Sequence, residues 1–296
     1  MSTQSPSSMQ LSQDRQVQIF YDDHMPEDSE LLIYHHGTPG AGPIDPELVL
    51  AARSHDFRIV EVVRPGYGAS TRQVGRQIAD VAELVEQVVG MFGHDRFSTI
   101  GWSGGGPHAL ATAALLPAQC VSAISVAGVG PFDVEDLDFL SGMGQDNLDE
   151  FGAAHAGEPQ LEQYLTAAAA GLLGVTADTL SQEMGSLLPE VDREYLQAGH
   201  GDHMAQSLSW AVSEGIWGWF DDDMAFIRPW GFSLSDIKCP TVVMQGSDDL
   251  MVPAAHGAWL SNNLPDAKSI LVPRAGHLSI ISGLDDALTS LRSGWT

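Results

Sequence analysis

The stretch TIGWSGGGPHAL (Thr99–Leu110) sets one serine among four glycines, between an apolar run and an alanine-rich one. Before it, "FSTI" reads as a buried strand; after it, "PHALATAALL" reads as a helix. Gly101, Ser103 and Gly105 fill the pattern G-x-S-x-G in the strand-to-helix context that the pattern needs. A serine at so abrupt a corner is driven toward positive φ, and the residues two places away on either side meet opposing backbone at close range, so they must be small. The same corner aims the Gly104 N–H and the first turn of the helix at any atom held over Ser103, where negative charge would be stabilised. Pro107 suits that first turn, where its missing N–H is no loss. A phosphate cradle is the competing reading, but the chain has neither a GxxxxGK[ST] lysine nor a GxGxxG before the helix.

Working outward, β-rich runs alternate with helical patterns. "VQIFYDD" (17–23), "LLIYHHG" (31–37) and "FRIVEVVRPG" (57–66) precede the helix-period segment "IADVAELVEQVVGMFG" (78–93). "VSAISVAGVG" (121–130), "TVVMQGSDD" (241–249) and "SILVPRAGH" (269–277) follow the serine. Such a rhythm predicts an α/β fold with a mostly parallel central sheet flanked by helices. Between Gly130 and Ser235 the rhythm stops and Ala, Leu, Gly, Gln and Glu dominate, which reads as a helical insertion. The expected division is a frayed, disordered N-terminus (1–11), a core made of 12–130 and 236–296, and an inserted helical cap over 131–235.

The formal charge is −26, and −17 of it falls between Pro131 and Trp230, where nineteen carboxylates face only Arg193 and Arg228. Phosphate backbones and anionic membrane surfaces are repelled by such a chain, so neither nucleic acid nor membrane is an expected partner. Cys120 and Cys239 have no CxxC spacing and read as buried thiols. With no basic-then-apolar leader and no run of about 18 apolar residues, a cytoplasmic location is expected. Composition leaves the oligomeric state open.

A serine hydroxyl is a weak nucleophile unless a base takes its proton, and the base needs an acid to fix its tautomer. Of eleven histidines, His277 sits in a short "AGHLS" loop after an apolar run; Asp249 ends another such run in "GSDDLMVP". Asp248 adjoins it and points the other way at a strand end. The G-x-x-D-x-x-V-P alignment favours Asp249, and Asp133 is a more distant candidate.

The order Ser103, Asp249, His277 is the nucleophile–acid–base order of α/β-hydrolases. From Val17 onward the chain resembles that superfamily in five successive motifs: "HHGTPG", "RPGYGAST", "GWSGGG", "GSDDLMVP" and "AGH". The resemblance implies a cofactor-free serine hydrolase that cleaves a small ester or amide through an acyl-enzyme. It places the oxyanion donors at the N–H groups of Thr38 and Gly104, since Pro39 has no N–H. It also makes residues 131–235 a lid. His36 is expected to brace the loop rather than act as the base, with His35 and His108 assigned to packing.

Trp102, Trp217 and Trp219 are the expected substrate-binding side chains. The aromatics of "WGWFDDDMAFIRPWGF" are expected to pack the lid onto the sheet while its three acids face water. The sharper alternative is a carboxylate holding a substrate cation. The "HHGTPG" loop looks like that of proline iminopeptidases, although their elbow and their Asp-Gln-Arg-Gly stretch are replaced here. Such an aminopeptidase is the alternative function, and a non-catalytic binding protein on a hydrolase scaffold the second. Hydroxynitrile lyases and cofactor-free haloperoxidases keep the same triad. No metal site is expected: His200, Asp202 and His203 in "HGDH" read as a turn of the lid.

Overall fold

The computed structural model describes residues 4–12 and 14–292. Eight strands form one sheet: β1 (Gln4–Ser12), β2 (Arg15–Asp22), β3 (Glu30–His35), β4 (Phe57–Val62), β5 (Phe97–Trp102), β6 (Cys120–Val126), β7 (Thr241–Gly246) and β8 (Ala267–Val272). Their spatial order is β1-β2-β4-β3-β5-β6-β7-β8, antiparallel in the first two pairings and parallel in the rest. Every residue of β4 and β7 is buried, as expected of strands covered on both faces.

Helices α1 (Pro46–Ser54), α2 (Val81–Met91) and α3 (Gly105–Leu115) follow β3, β4 and β5 in the chain. Between β6 and β7 the described chain contains helices and no strand: α4 (Gln145–Ala156), α5 (Glu158–Leu172), α6 (Ala177–Glu183), α7 (Glu190–Tyr195), α8 (Gly201–Val212) and α9 (Trp217–Phe226). The closing pair is α10 (Ala254–Asn263) and α11 (Leu284–Arg292). Among the described residues no helix is long and apolar enough to cross a membrane.

One expectation is corrected. Residues 4–11 fall in the segment read as disordered, yet they belong to β1, which pairs antiparallel with β2 from Gln4↔Asp22 to Ser12↔Arg15. Low apolar content hid the strand. Within it Ser7, Met9 and Leu11 are half-buried while Ser8 and Gln10 are exposed, and β1 supplies backbone partners to the β2 edge.

The order β4-β3-β5 decides where chemistry can occur. After β3 the chain moves outward to β4, then returns to lay β5 on the other side of β3. The loops leaving β3 and β5 therefore diverge and open a crevice at the strands' carboxyl ends. His36–Thr38 leave β3 there, and Ser103 leaves β5.

The corner itself is closely packed. A methyl group added at Gly101 would lie 2.0 Å from the Gly105 carbonyl oxygen, and one at Gly105 would lie 2.0 Å from that of His35. Both obstacles are backbone and cannot rotate away. Gly101→Ala is therefore expected to destabilise the fold by at least about 2 kcal/mol, the upper part of the range for overpacking; urea unfolding measures it.

Candidate active site

Ser103 has φ 56°, the left-handed region that a side chain occupies only under constraint. The constraint is visible in the hydrogen bonds on either side: Ser103 N donates to Val126 O at 2.8 Å, and Gly106 N donates to Ser103 O at 2.9 Å. The sheet holds one side of the residue and the first turn of α3 the other. Strain of this kind, about 1–3 kcal/mol, lifts the hydroxyl out of the strand.

Asp249 and His277 meet across 28 residues of sequence. Asp249 Oδ2 accepts from His277 Nδ1 at 2.8 Å, while Asp249 Oδ1 accepts from the N–H groups of Met251 and Val252, both at 2.8 Å. The two loops approach because residue 246 is glycine; a methyl there would lie 2.4 Å from Ala275 O. Since Nδ1 gives its hydrogen to a carboxylate, Nε2 is the ring nitrogen left to accept a proton. Burial opposes charge on His277, but the Asp249 carboxylate beside it and the hydrogen bond it accepts outweigh burial, with a further push from Asp192, and the pKa rises above the ordinary 6.5. Asp248 is exposed and accepts from Ser247 Oγ, and Asp133 is exposed as well.

The loop after β3 rests on a buried charge cluster. Arg64, fully buried, donates from Nη1 to His36 O at 2.6 Å and from Nη2 to Gly37 O at 2.8 Å and Thr38 Oγ1 at 2.9 Å. Its countercharge is Asp222 of α9, at 2.6 Å from Nη2. The same carboxylate accepts from Arg76 Nη2 at 2.5 Å, Tyr67 OH at 2.9 Å and Thr38 Oγ1 at 2.7 Å. Burial alone would raise the Asp222 pKa; the two guanidiniums hold it well below the usual carboxylate range. His36 braces the loop in one neutral tautomer, with Nδ1 donating to Gly37 O and Nε2 accepting from Arg64 N. Burial and Arg64 keep its pKa well below 6.5. Thr38 and Gly104 face each other so closely that a methyl at 104 would lie 2.4 Å from Thr38 Oγ1. His35 and His108 are buried and stacked on one another.

A cavity of about 480 Å³ lies over these loops, within the size range of small-molecule sites. Ser103, His277, Thr38, Gly104, Trp102 and Trp219 line it together with side chains of the helical segment. Trp217 does not. It is 36% exposed and carries the Arg72 guanidinium 4.0 Å above its ring. Two positions along a helix are about 200° apart, so α9 turns Trp219 inward and Trp217 outward.

The three acids of α9 also depart from expectation, because none faces water. Asp221 pairs with Arg72 at 2.8 Å and Asp222 with Arg64 and Arg76. Asp223 is fully buried on the cavity wall, with Glu150 beside it. Burial raises both, Glu150 to about 7 and Asp223 well above the usual value, and Trp219 Nε1 donates to Glu150 at 2.8 Å. Among the described residues, no lysine or arginine lines the cavity. His200, Asp202 and His203 do not converge: His200 lies 2.8 Å from Glu47, His203 lies 3.8 Å from Asp45, and Asp202 is exposed.

Asp222→Asn leaves two guanidiniums buried with too little countercharge and is expected to cost about 3–5 kcal/mol in urea unfolding. Because the folded pKa of Asp222 lies below its unfolded value of about 3.9, its stabilisation is full above that pH and is lost as pH falls through the folded value.

A sequence profile described as alpha/beta hydrolase fold matches residues 30–284. The chain is 28% identical over 256 residues to a non-heme chloroperoxidase of Streptomyces lividans, covering 83% of this chain and 84% of that protein. It is 25% identical over 237 residues to a pimeloyl-[acyl-carrier protein] methyl ester esterase of Nitrosomonas europaea, covering 79% and 83%. Among solved structures, a bromoperoxidase from Bacillus anthracis superposes with a TM-score of 0.69 at 18% identity, over 98% of this chain and all of that one. The chain belongs to the alpha/beta hydrolase fold family.

Proposed function

We propose that this chain is a serine hydrolase that cleaves a small ester through an acyl-enzyme, with residues 131–235 acting as a cap over the site. The observation that carries the reading is the 2.8 Å hydrogen bond from His277 Nδ1 to Asp249, in a cavity also lined by a strained Ser103. Nε2 of His277 takes the Ser103 proton as Oγ attacks the substrate carbonyl. The N–H groups of Thr38 and Gly104 receive the resulting oxyanion, each worth about 10²–10³ in rate. The imidazolium returns its proton to the leaving alkoxide, which departs as the alcohol. Water, deprotonated by His277, then cleaves the acyl–serine bond and releases the acid. The methyl ester esterase relative supports an ester as the substrate class.

The aminopeptidase reading draws support from one feature, the cavity-wall pair Glu150 and Asp223, in a cavity that no lysine or arginine lines among the described residues. Free aminoacyl arylamides would be hydrolysed faster than N-blocked counterparts if that pair received an amine; equal rates would remove it.

Ser103→Ala is expected to lower turnover of p-nitrophenyl butyrate by about 10³-fold or more without changing the unfolding midpoint. Near wild-type turnover would refute the nucleophile. His277 works as a base only when neutral, and its pKa is raised, so kcat/KM should fall on the acid side with a midpoint above 6.5. Removing its partner in Asp249→Asn should move that limb to lower pH and reduce kcat by about 10⁴.

A further inference from the structure

One side chain of the helical segment hydrogen-bonds to the loop that carries the histidine. Asp192, on α7, is fully buried 85 residues before His277 in sequence. Its Oδ2 accepts from His277 N at 2.8 Å and Leu278 N at 3.1 Å, while Oδ1 accepts from Ser279 N at 2.9 Å and Ser279 Oγ at 2.6 Å. Both oxygens are spent on three consecutive residues of this loop. Gly276 is shaped to the same group: a methyl there would lie 2.4 Å from Asp192 Oδ2 and 2.5 Å from its Cγ and Oδ1. The carboxylate thus sits where a side chain at 276 would otherwise be. Helix α7 is held in turn by Arg193, which donates to the Leu188 and Gly185 carbonyls, and by Tyr195 OH donating to Glu47 on α1.

A carboxylate that accepts the backbone N–H of the base fixes where the imidazole starts. Asp249 fixes only the far end, at Nδ1. Between them they anchor the residue at its backbone and at its ring.

We propose that Asp192 is a positioning residue for His277, so that the segment between β6 and β7 supplies part of the catalytic geometry rather than only a cover. The proposal rests on the serine hydrolase reading, in which His277 is the base. Asp192 touches no reacting atom. It acts through the loop backbone and through its charge, since Asp249 and Asp192 are the two carboxylates whose fields favour protonated His277.

The test uses p-nitrophenyl butyrate with Asp192→Asn, Gly276→Ala and the double variant, following kcat, KM and the acid limb of kcat/KM. Asp192→Asn removes the charge, and Gly276→Ala pushes the carboxylate away without removing it. Each is expected to lower kcat by at least about tenfold with KM changed by less than about threefold, because a displacement of about 1 Å at a catalytic group costs up to about 10². Asp192→Asn should also move the acid limb to lower pH. The double variant should fall within about twofold of the worse single one, as for residues acting on one interaction. Glu194→Gln, an exposed charge on the same helix, should leave kcat and the limb unchanged. If Asp192→Asn does not fold, Gly276→Ala and Ser279→Ala carry the same kcat-against-KM test. Wild-type kcat and an unmoved limb in Asp192→Asn, or losses that multiply in the double variant, would overturn the proposal. Failure of the serine hydrolase reading itself would show separately, as turnover that survives Ser103→Ala.

Discussion

The buried pairing of Asp222 with Arg64 is the interaction on which this site hangs. Arg64 holds the carbonyls of His36 and Gly37, so the loop that presents Thr38 has its shape only while the guanidinium stays in place. A guanidinium with no exposed surface cannot stay without a countercharge. That countercharge comes from α9, more than 150 residues later in the chain. The loop after β3 is thus completed by the helical segment, not by the sheet that carries it.

The same arrangement recurs on the opposite side of the cavity. There Asp192 takes the backbone hydrogens of the loop carrying His277. Two carboxylates of one acidic segment clasp the two loops that flank Ser103. The negative charge concentrated in that segment is therefore in part internal structure: Asp192, Asp221, Asp222 and Asp223 are all buried, and the first three are matched by donors. Asp223 is the exception: it lies beside Glu150 on the cavity wall, where burial pushes both carboxyls toward the protonated form.

Much of the sheet domain was legible in the sequence because its signals are local. The G-x-S-x-G corner requires left-handed backbone and two close approaches, and Ser103, Gly101 and Gly105 supply them within five residues. Asp249 was separable from Asp248 by spacing, and the structure gives only Asp249 the His277 hydrogen bond. The roles of Asp192 and Asp222 were illegible, since each depends on a partner 85 or more residues away and neither lies in a recognisable pattern. One signal was present. Arg64, Arg72 and Arg76, three of only thirteen Lys and Arg residues, crowd a short stretch, and the acids of α9 are where their charge is answered. β1 was missed because edge pairing recruits backbone, to which hydropathy is blind.

The central claim is that Ser103 is a nucleophile activated by His277 in this cavity. The most direct measurement is reaction with a fluorophosphonate followed by peptide mass spectrometry of the full chain. The account predicts one covalent phosphonyl adduct, on Ser103, forming far more slowly when His277 is replaced by alanine. An unlabelled protein, an adduct on another residue, or labelling of Ser103 indifferent to the loss of His277 would contradict it.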